Sequence, residues 1–147
     1  MKVIVQRCKH ASVKINGDVV GKIDKGFVLL VGFTHDDNID IIKKVARKIV
    51  NLRIFEDENE KMNLALKDVN GKILSISQFT LYAKLDGRRP SFTDAMSYNV
   101  ASNLYDLFNE ELRSYDIDIK TGMFGEDMKV SLINDGPVTI IVDSKEI

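Results

Sequence analysis

The chain has one cysteine, two prolines, two histidines and no tryptophan among its 147 residues. A lone Cys8 closes no internal disulfide, which points to a reducing compartment, the cytoplasm. Cys8 with His10 and His35 makes too few ligands for a zinc set, so no metal or other cofactor is expected. No apolar run approaches the roughly 18–20 residues of a membrane span. The start, Met1 to His10, lacks the apolar stretch and small-residue cleavage site of a secretory leader. Nothing reads as a linker, repeat or low-complexity tract, so 1–147 is read as a single domain. Hydrophobic residues make up 44%, enough for a core and too many for a disordered chain.

The net charge of −1 hides an asymmetry. Residues 1–90 carry 17 Lys/Arg against 11 Asp/Glu, and residues 91–147 carry 4 against 11. Either folding interleaves the halves, or a local basic surface faces a phosphate-bearing partner. Composition does not choose between them.

Hydrophobic spacing outlines the elements. Val3 to Cys8 alternates as a first strand, and Val13–Ile15 and Val19–Val20 flank an Asn16-Gly17-Asp18 hairpin turn. Phe27 to Val31 is apolar throughout, as in a strand buried on both faces. Ile41, Ile42, Val45, Ala46, Ile49 and Leu52 recur at helical spacing, with Asp36, Asp37 and Asn38 as cap and negative start, predicting a helix near 39–51. A second helix is predicted near 98–114, with Ala101, Leu104, Tyr105, Phe108 and Leu112 on one face. Further strands are predicted at Leu52–Phe55, Lys72–Leu81, Ile117–Lys120, Met128–Ile133 and Val138–Val142. The order is β-rich with two inserted helices, so the predicted class is α+β, a barrel-like, antiparallel-dominated sheet. Neither GxGxxG nor a P-loop is present.

Four segments can carry chemistry. Ser75-Ile76-Ser77-Gln78-Phe79-Thr80-Leu81 is a hydroxyl- and amide-rich strand among apolar neighbours. It reads either as a half-exposed strand or as a polar row lining a cleft. A Ser or Thr nucleophile needs a base, and none lies nearby in the sequence. Asn134-Asp135-Gly136-Pro137-Val138-Thr139 reads as a turn whose X-Pro bond is a candidate for the cis form. Lys84 to Phe92 holds Arg88 and Arg89, either a solvated loop or a phosphate contact. Gly122-Met123-Phe124-Gly125-Glu126-Asp127-Met128 is a glycine-hinged turn into a strand.

Together these segments resemble the D-aminoacyl-tRNA deacylases, first described as D-tyrosyl-tRNA deacylases. The resemblance runs through Val5-Gln6-Arg7, Asn51 to Phe55, Lys61-Met62-Asn63-Leu64, Ser77-Gln78-Phe79-Thr80, Gly87 to Phe92, Phe124-Gly125 and Asn134 to Thr139, nearly the whole chain. It implies hydrolysis of the ester between a D-amino acid, or glycine, and the terminal adenosine of tRNA. It also implies a metal-free two-fold homodimer. In that arrangement Ser77, Gln78, Phe79 and Thr80 floor the pocket, and Gly136-Pro137 of the partner subunit reaches into it. Arg7 is assigned to hold that Gly-Pro element, its guanidinium donating to backbone carbonyls. Lys84, Arg88, Arg89, Phe124, Gly125 and Met128 are assigned to the acceptor end of the tRNA. Two residues depart from the family pattern: Glu126 stands where a small residue is expected, and Ala65 where a hydroxyl is common. The competing readings are a deacylase for mischarged L-aminoacyl-tRNA, a nucleic-acid-binding module without chemistry, and a structural dimerisation protein.

Overall fold

A computed structural model describes all residues, Met1–Ile147. Strand β1 (Lys2–Ile15) turns back through Asn16 (φ 50°) and Gly17 (φ 84°) into β2 (Asp18–Ile23). Two successive positive φ values match the twist of the flanking strands, and Asn-Gly reaches them at little cost. β2 and then β3 (Gly26–Gly32) lie end to end along one edge of β1. The register runs from Ile15↔Asp18 to Ala11↔Ile23 and then from Cys8↔Gly26 to Lys2↔Gly32.

β8 (Lys129–Asp143) covers the other edge of β1, from Lys2↔Asp143 to Lys14↔Lys129. β3 pairs in parallel with β6 (Lys72–Ser77), and β6 in parallel with β7 (Ile119–Thr121). Parallel neighbours need long crossovers. Helix α1 (Ile39–Val50) lies in the first, together with the small hairpin β4 (Phe55–Glu56) and β5 (Met62–Leu64); α2 (Tyr98–Arg113) lies in the second. The sheet curls until β2 approaches β7. A Cβ added at Gly21 would stand 2.8 Å from the Thr121 carbonyl oxygen, so only glycine permits that closure.

The curled sheet has two apolar sides. Val3, Val5, Phe27, Leu29 and Ile73 pack under the helices with Ile42, Val45, Ile49, Phe108 and Leu112. Cys8, Ala11, Val13, Ile23, Val28, Leu74 and Ile76 form a second core on the opposite side. Successive side chains of β3 therefore enter different cores, which is why its sequence is apolar without alternation.

The mixed, antiparallel-dominated sheet with two helices agrees with the expected class, and both helices start where predicted. Four details differ. Of the three polar residues before α1, only Asn38 caps it, accepting from the Asp40 and Ile41 amides. Asp37 instead holds the Met1 amino group at 2.5 Å and the Thr34 amide at 2.7 Å. The strand predicted at Leu52–Phe55 is Phe55–Glu56, and that at Ile117–Lys120 is Ile119–Thr121. The strand predicted to run to Leu81 stops at Ser77, and Phe79–Tyr82 is a 3₁₀ turn. The two strands predicted around Asn134–Pro137 are one strand with a register shift against β1. Pro137 fits there because β8 pairs only with β1, leaving an open edge where a missing N–H costs nothing.

Candidate active site

A cleft of about 570 Å³ opens where β6 gives way to the 3₁₀ turn. Ser77, Gln78 and Phe79 form one wall. Phe92, Ala95 and Met96 follow from the segment before α2, and Phe124 to Met128 come from the loop between β7 and β8. Phe79 and Phe92 meet edge to face at 5.0 Å between ring centroids. Both are partly open to solvent, Phe79 by 55%.

The turn at Phe79–Tyr82 matters chemically. The first N–H groups of a 3₁₀ turn have no carbonyl of that turn to receive them. Those of Phe79 and Thr80 are in this position, on or beside the cleft wall. The side chains around them are poor acids and bases. Gln78 Nε2 donates to Thr80 Oγ1 at 2.6 Å, and an amide cannot take the hydroxyl proton. Thr80 is not among the residues lining the cleft, although Ser77, Gln78 and Phe79 are. Ser75 is wholly buried, and its carbonyl accepts from the Tyr105 hydroxyl at 2.7 Å. Burial pushes the Tyr105 phenol above its ordinary pKa, leaving it a neutral donor.

The opposite wall depends on Gly125, at φ 82°. A Cβ there would fall 2.5 Å from the Tyr98 ring, whose hydroxyl donates to the Phe124 carbonyl at 3.3 Å. Tyr98 and Tyr105 both contact the Phe124 ring, so α2 sets the position of this loop.

The remaining residues assigned from the sequence lie elsewhere. Gly136-Pro137, whose peptide bond is cis, sits on β8 outside the cleft of its own chain. Beneath it, Arg7 is buried to 5% exposure. Its Nε donates to the Asp135 carbonyl at 2.8 Å and its Nη1 to the Ile54 carbonyl at 2.7 Å. Asn134 was not assigned a role from the sequence. Its Oδ1 accepts from the Val138 amide at 2.8 Å, and its Nδ2 reaches Thr139 Oγ1 and Gln6 Oε1. An Asn preceding Asp-Gly-Pro is a common turn signal, which hid this clasp.

Lys84 pairs with Asp94 at 2.9 Å, and that partner raises its pKa. Arg88 and Arg89 are exposed and make no ion pair. No three His, Cys, Asp or Glu side chains gather into a group able to hold a metal ion. No helix is long and apolar enough to cross a membrane.

A nearly closed mixed sheet with one apolar, amide-walled cleft defines a class of small β-rich proteins with solved members. The solved "c-Myc DNA Unwinding Element Binding Protein" superposes at TM-score 0.92 with 40% identity, covering 97% of this chain and 98% of that one. A probable eukaryotic D-amino acid tRNA deacylase superposes at 0.84 with 18% identity, a likeness of fold.

Sequence comparison narrows the class: residues 4–143 match the D-Tyr-tRNA(Tyr) deacylase model, and the chain belongs to that family. Curated relatives named D-aminoacyl-tRNA deacylase include one from Fusobacterium nucleatum, 54% identical over 99% of this chain and 97% of its own. One from Geobacillus is 56% identical with the same coverage, and one from Bacillus anthracis is 56% identical over 99% of this chain and all of its own.

Proposed function

We propose that the protein hydrolyses the ester joining a D-amino acid to the terminal adenosine of tRNA, releasing free tRNA and the D-amino acid, with glycyl-tRNA also accepted. One observation supports this chemistry most directly: the cleft wall runs into a 3₁₀ turn whose first backbone N–H groups, those of Phe79 and Thr80, have no carbonyl of that turn to receive them, and no histidine lines the cleft. An aminoacyl ester is already an activated acyl group, so such a site is sufficient. Water adds to the carbonyl, negative charge develops on its oxygen, and the amides of Phe79 and Thr80 stabilise it. The ester C–O bond then breaks and the departing ribose oxygen takes a proton. The 2′-hydroxyl beside that oxygen is held in position by the substrate itself, an advantage of proximity that side chains need not supply.

The working unit in this reading is a two-fold dimer. Gly136-Pro137 of one subunit enters the cleft of the other, where its carbonyls hold the substrate α-amino group and fill the space of an L side chain. Glycine has no side chain to exclude and passes. Exposed apolar residues beside these elements, Phe79 and Ile141, support burial against a second copy. Arg88 and Arg89, with Lys84, contact the acceptor-end backbone, and Phe124, Gly125 and Met128 receive the terminal nucleoside. The activity belongs in the cytoplasm, with its tRNA substrate.

The deciding experiment compares D- and L-tyrosyl-tRNA as substrates. Release of D-tyrosine with L-tyrosine retained supports the reading, and the converse replaces it with an L-specific deacylase. Failure on both, with binding to DNA, favours the non-catalytic reading that the first solved relative's name raises. In single turnover, Thr80→Ala retains most of the rate and a 2′-deoxy terminal adenosine abolishes it; the reverse pattern makes Thr80 a nucleophile. Sedimentation at micromolar concentration gives a dimer, and a monomer removes the partner-borne filter.

A further inference from the structure

The parallel ladder between β6 and β7 ends at the pair Ser75↔Thr121. Beyond it the two chains part. One runs through Ser77 and Gln78 into the turn at Phe79, and the other through Gly122 to Phe124 and the rest of its loop. The cleft lies between them, so its two walls diverge from a common fork.

Tyr105 of α2 stands in that fork. Its hydroxyl donates to the Ser75 carbonyl at 2.7 Å, two residues before Ser77. Its ring meets the Phe124 ring on the second wall, at 5.7 Å between centroids. The same Ser75 carbonyl accepts from the Gly122 amide at 3.4 Å, two residues before Phe124. One oxygen atom thus anchors both walls at their root. The Ser75 hydroxyl takes no part, since its Oγ is buried without a partner. Tyr105 itself is 3% exposed and is not among the residues lining the cleft, so it is placed to act through the walls and not on a bound molecule.

In the proposed function the first wall holds the ester carbonyl and the second receives the terminal nucleoside. The substrate spans both, and its two halves bind as linked groups. Linked contacts reinforce each other only while the two sites keep the spacing that the link requires. An error of about 1 Å in the placing of a reacting group costs about a hundredfold in rate.

Building on that function, we infer that Tyr105 is a positioning residue that fixes the separation of the two walls and so couples nucleoside binding to ester binding. The hydroxyl holds the root of the fork on β6, and the ring sets where Phe124 rests. Neither half of the substrate meets Tyr105, so each half bound alone is indifferent to it. Removing the hydroxyl leaves the ring in place and leaves the Ser75 carbonyl its Gly122 donor, so no buried acceptor is orphaned and the fold stands.

The test compares two ligands of different reach. Adenosine occupies the nucleoside wall alone, and 3′-(D-tyrosylamino)-3′-deoxyadenosine, with an amide in place of the ester, spans both walls. Calorimetry gives both dissociation constants for the unmodified protein, Tyr105→Phe and Tyr105→Leu, and kcat/KM is measured with D-tyrosyl-tRNA. In Tyr105→Phe adenosine binding should hold within about twofold, while the spanning ligand weakens about tenfold and kcat/KM falls at least as far. Tyr105→Leu also loses the ring contact and should widen the difference. Retained adenosine binding shows that the nucleoside wall of each variant is folded. A ratio of the two constants equal to that of the unmodified protein, whether both hold or both weaken in parallel, overturns the inference and leaves Tyr105 a core residue. Failure of the unmodified protein to cleave D-tyrosyl-tRNA overturns the deacylase reading itself, and this one with it.

Discussion

Two segments assigned to function from the sequence, Asn134–Thr139 and Lys84–Phe92, look alike on paper: short, polar and punctuated by Gly and Pro. The structure builds them on different principles. The first is a shifted stretch of β8 clasped from below by Arg7 and from within by Asn134, so that side chains hold the Asp135 carbonyl and the Val138 amide. The second is closed only at its base, where Lys84 and Ser91 exchange backbone hydrogen bonds at 2.8 and 3.1 Å, and its guanidiniums are free. In the proposed function the first segment excludes one stereoisomer, a task that needs fixed atoms. In the same reading the second meets a flexible polyanion, which needs charge more than fixed geometry. The same residue vocabulary serves both, and the burial of its partners decides which.

The contrast is broken most severely at Arg7. Arg7→Ala leaves the Asp135 and Ile54 carbonyls without a donor, at about 1–3 kcal/mol each. The urea midpoint should fall by the equivalent of about 2–5 kcal/mol at an unchanged m-value. The ratio of L- to D-aminoacyl hydrolysis should rise in the fraction that remains folded.

Asn134→Ala removes the clasp within the strand and should cost about 1–2 kcal/mol, measured in the same way. A destabilisation equal to that of Arg7→Ala would mean that the two side chains act as one unit.

Cys8 gives a reporter at the register shift of β8, opposite Asn134 in the ladder. Burial, aided by the Asp135 carboxylate, pushes its thiol up to about 11. The native thiolate is disfavoured, so this contribution to stability is complete below the unfolded value of 9.0 and is lost as pH rises through about 11. Unfolding midpoints between those pH values should fall, less so in Cys8→Ala. At neutral pH iodoacetamide should label the native thiol far more slowly than the unfolded one, and Arg7→Ala should speed labelling.

The smallest effect on stability belongs to the basic loop. Neutralising Lys84, Arg88 and Arg89 together should leave the urea midpoint within error, because these side chains and the Asp94 partner of Lys84 are open to solvent. It should flatten the salt dependence of tRNA binding by about 0.7–0.9 in log–log slope for each phosphate that the loop no longer neutralises. An unchanged slope assigns the loop to packing.

The helices were legible because their apolar residues recur at a period that no strand shares. The turn at Asn16-Gly17 was legible because few pairs accept two positive φ values. Where β6 ends was not: Phe79 and Leu81 continue the alternation begun at Ser75 and Ser77, so periodicity carries past the point where the chain coils into a 3₁₀ turn. β8 misled in the other direction. Asp-Gly-Pro reads as a turn, and only tertiary pairing with β1 reveals an edge strand able to carry it. The wall of the cleft could be named from its residues, while the pairing of Lys84 with Asp94 and the clasp by Asn134 depend on folding partners that spacing does not announce.

β1 is completed by strands from opposite ends of the chain. Its first edge is covered once residues 18–32 exist, its second only when residues 129–143 arrive. During synthesis, the strand at the centre of the sheet is thus an open edge for most of the time the polypeptide is being made. Open edges recruit strands from other chains, and Lys2, Lys9 and Lys14 along β1 are the kind of charges that discourage such pairing. Closure between distant segments also places this fold among those that form slowly, with exposed intermediates. The strand that carries Arg7 is therefore made before the strands that cover it and is among the last finished, because the register-shifted stretch of β8 above it is the later of its two edges to be synthesised.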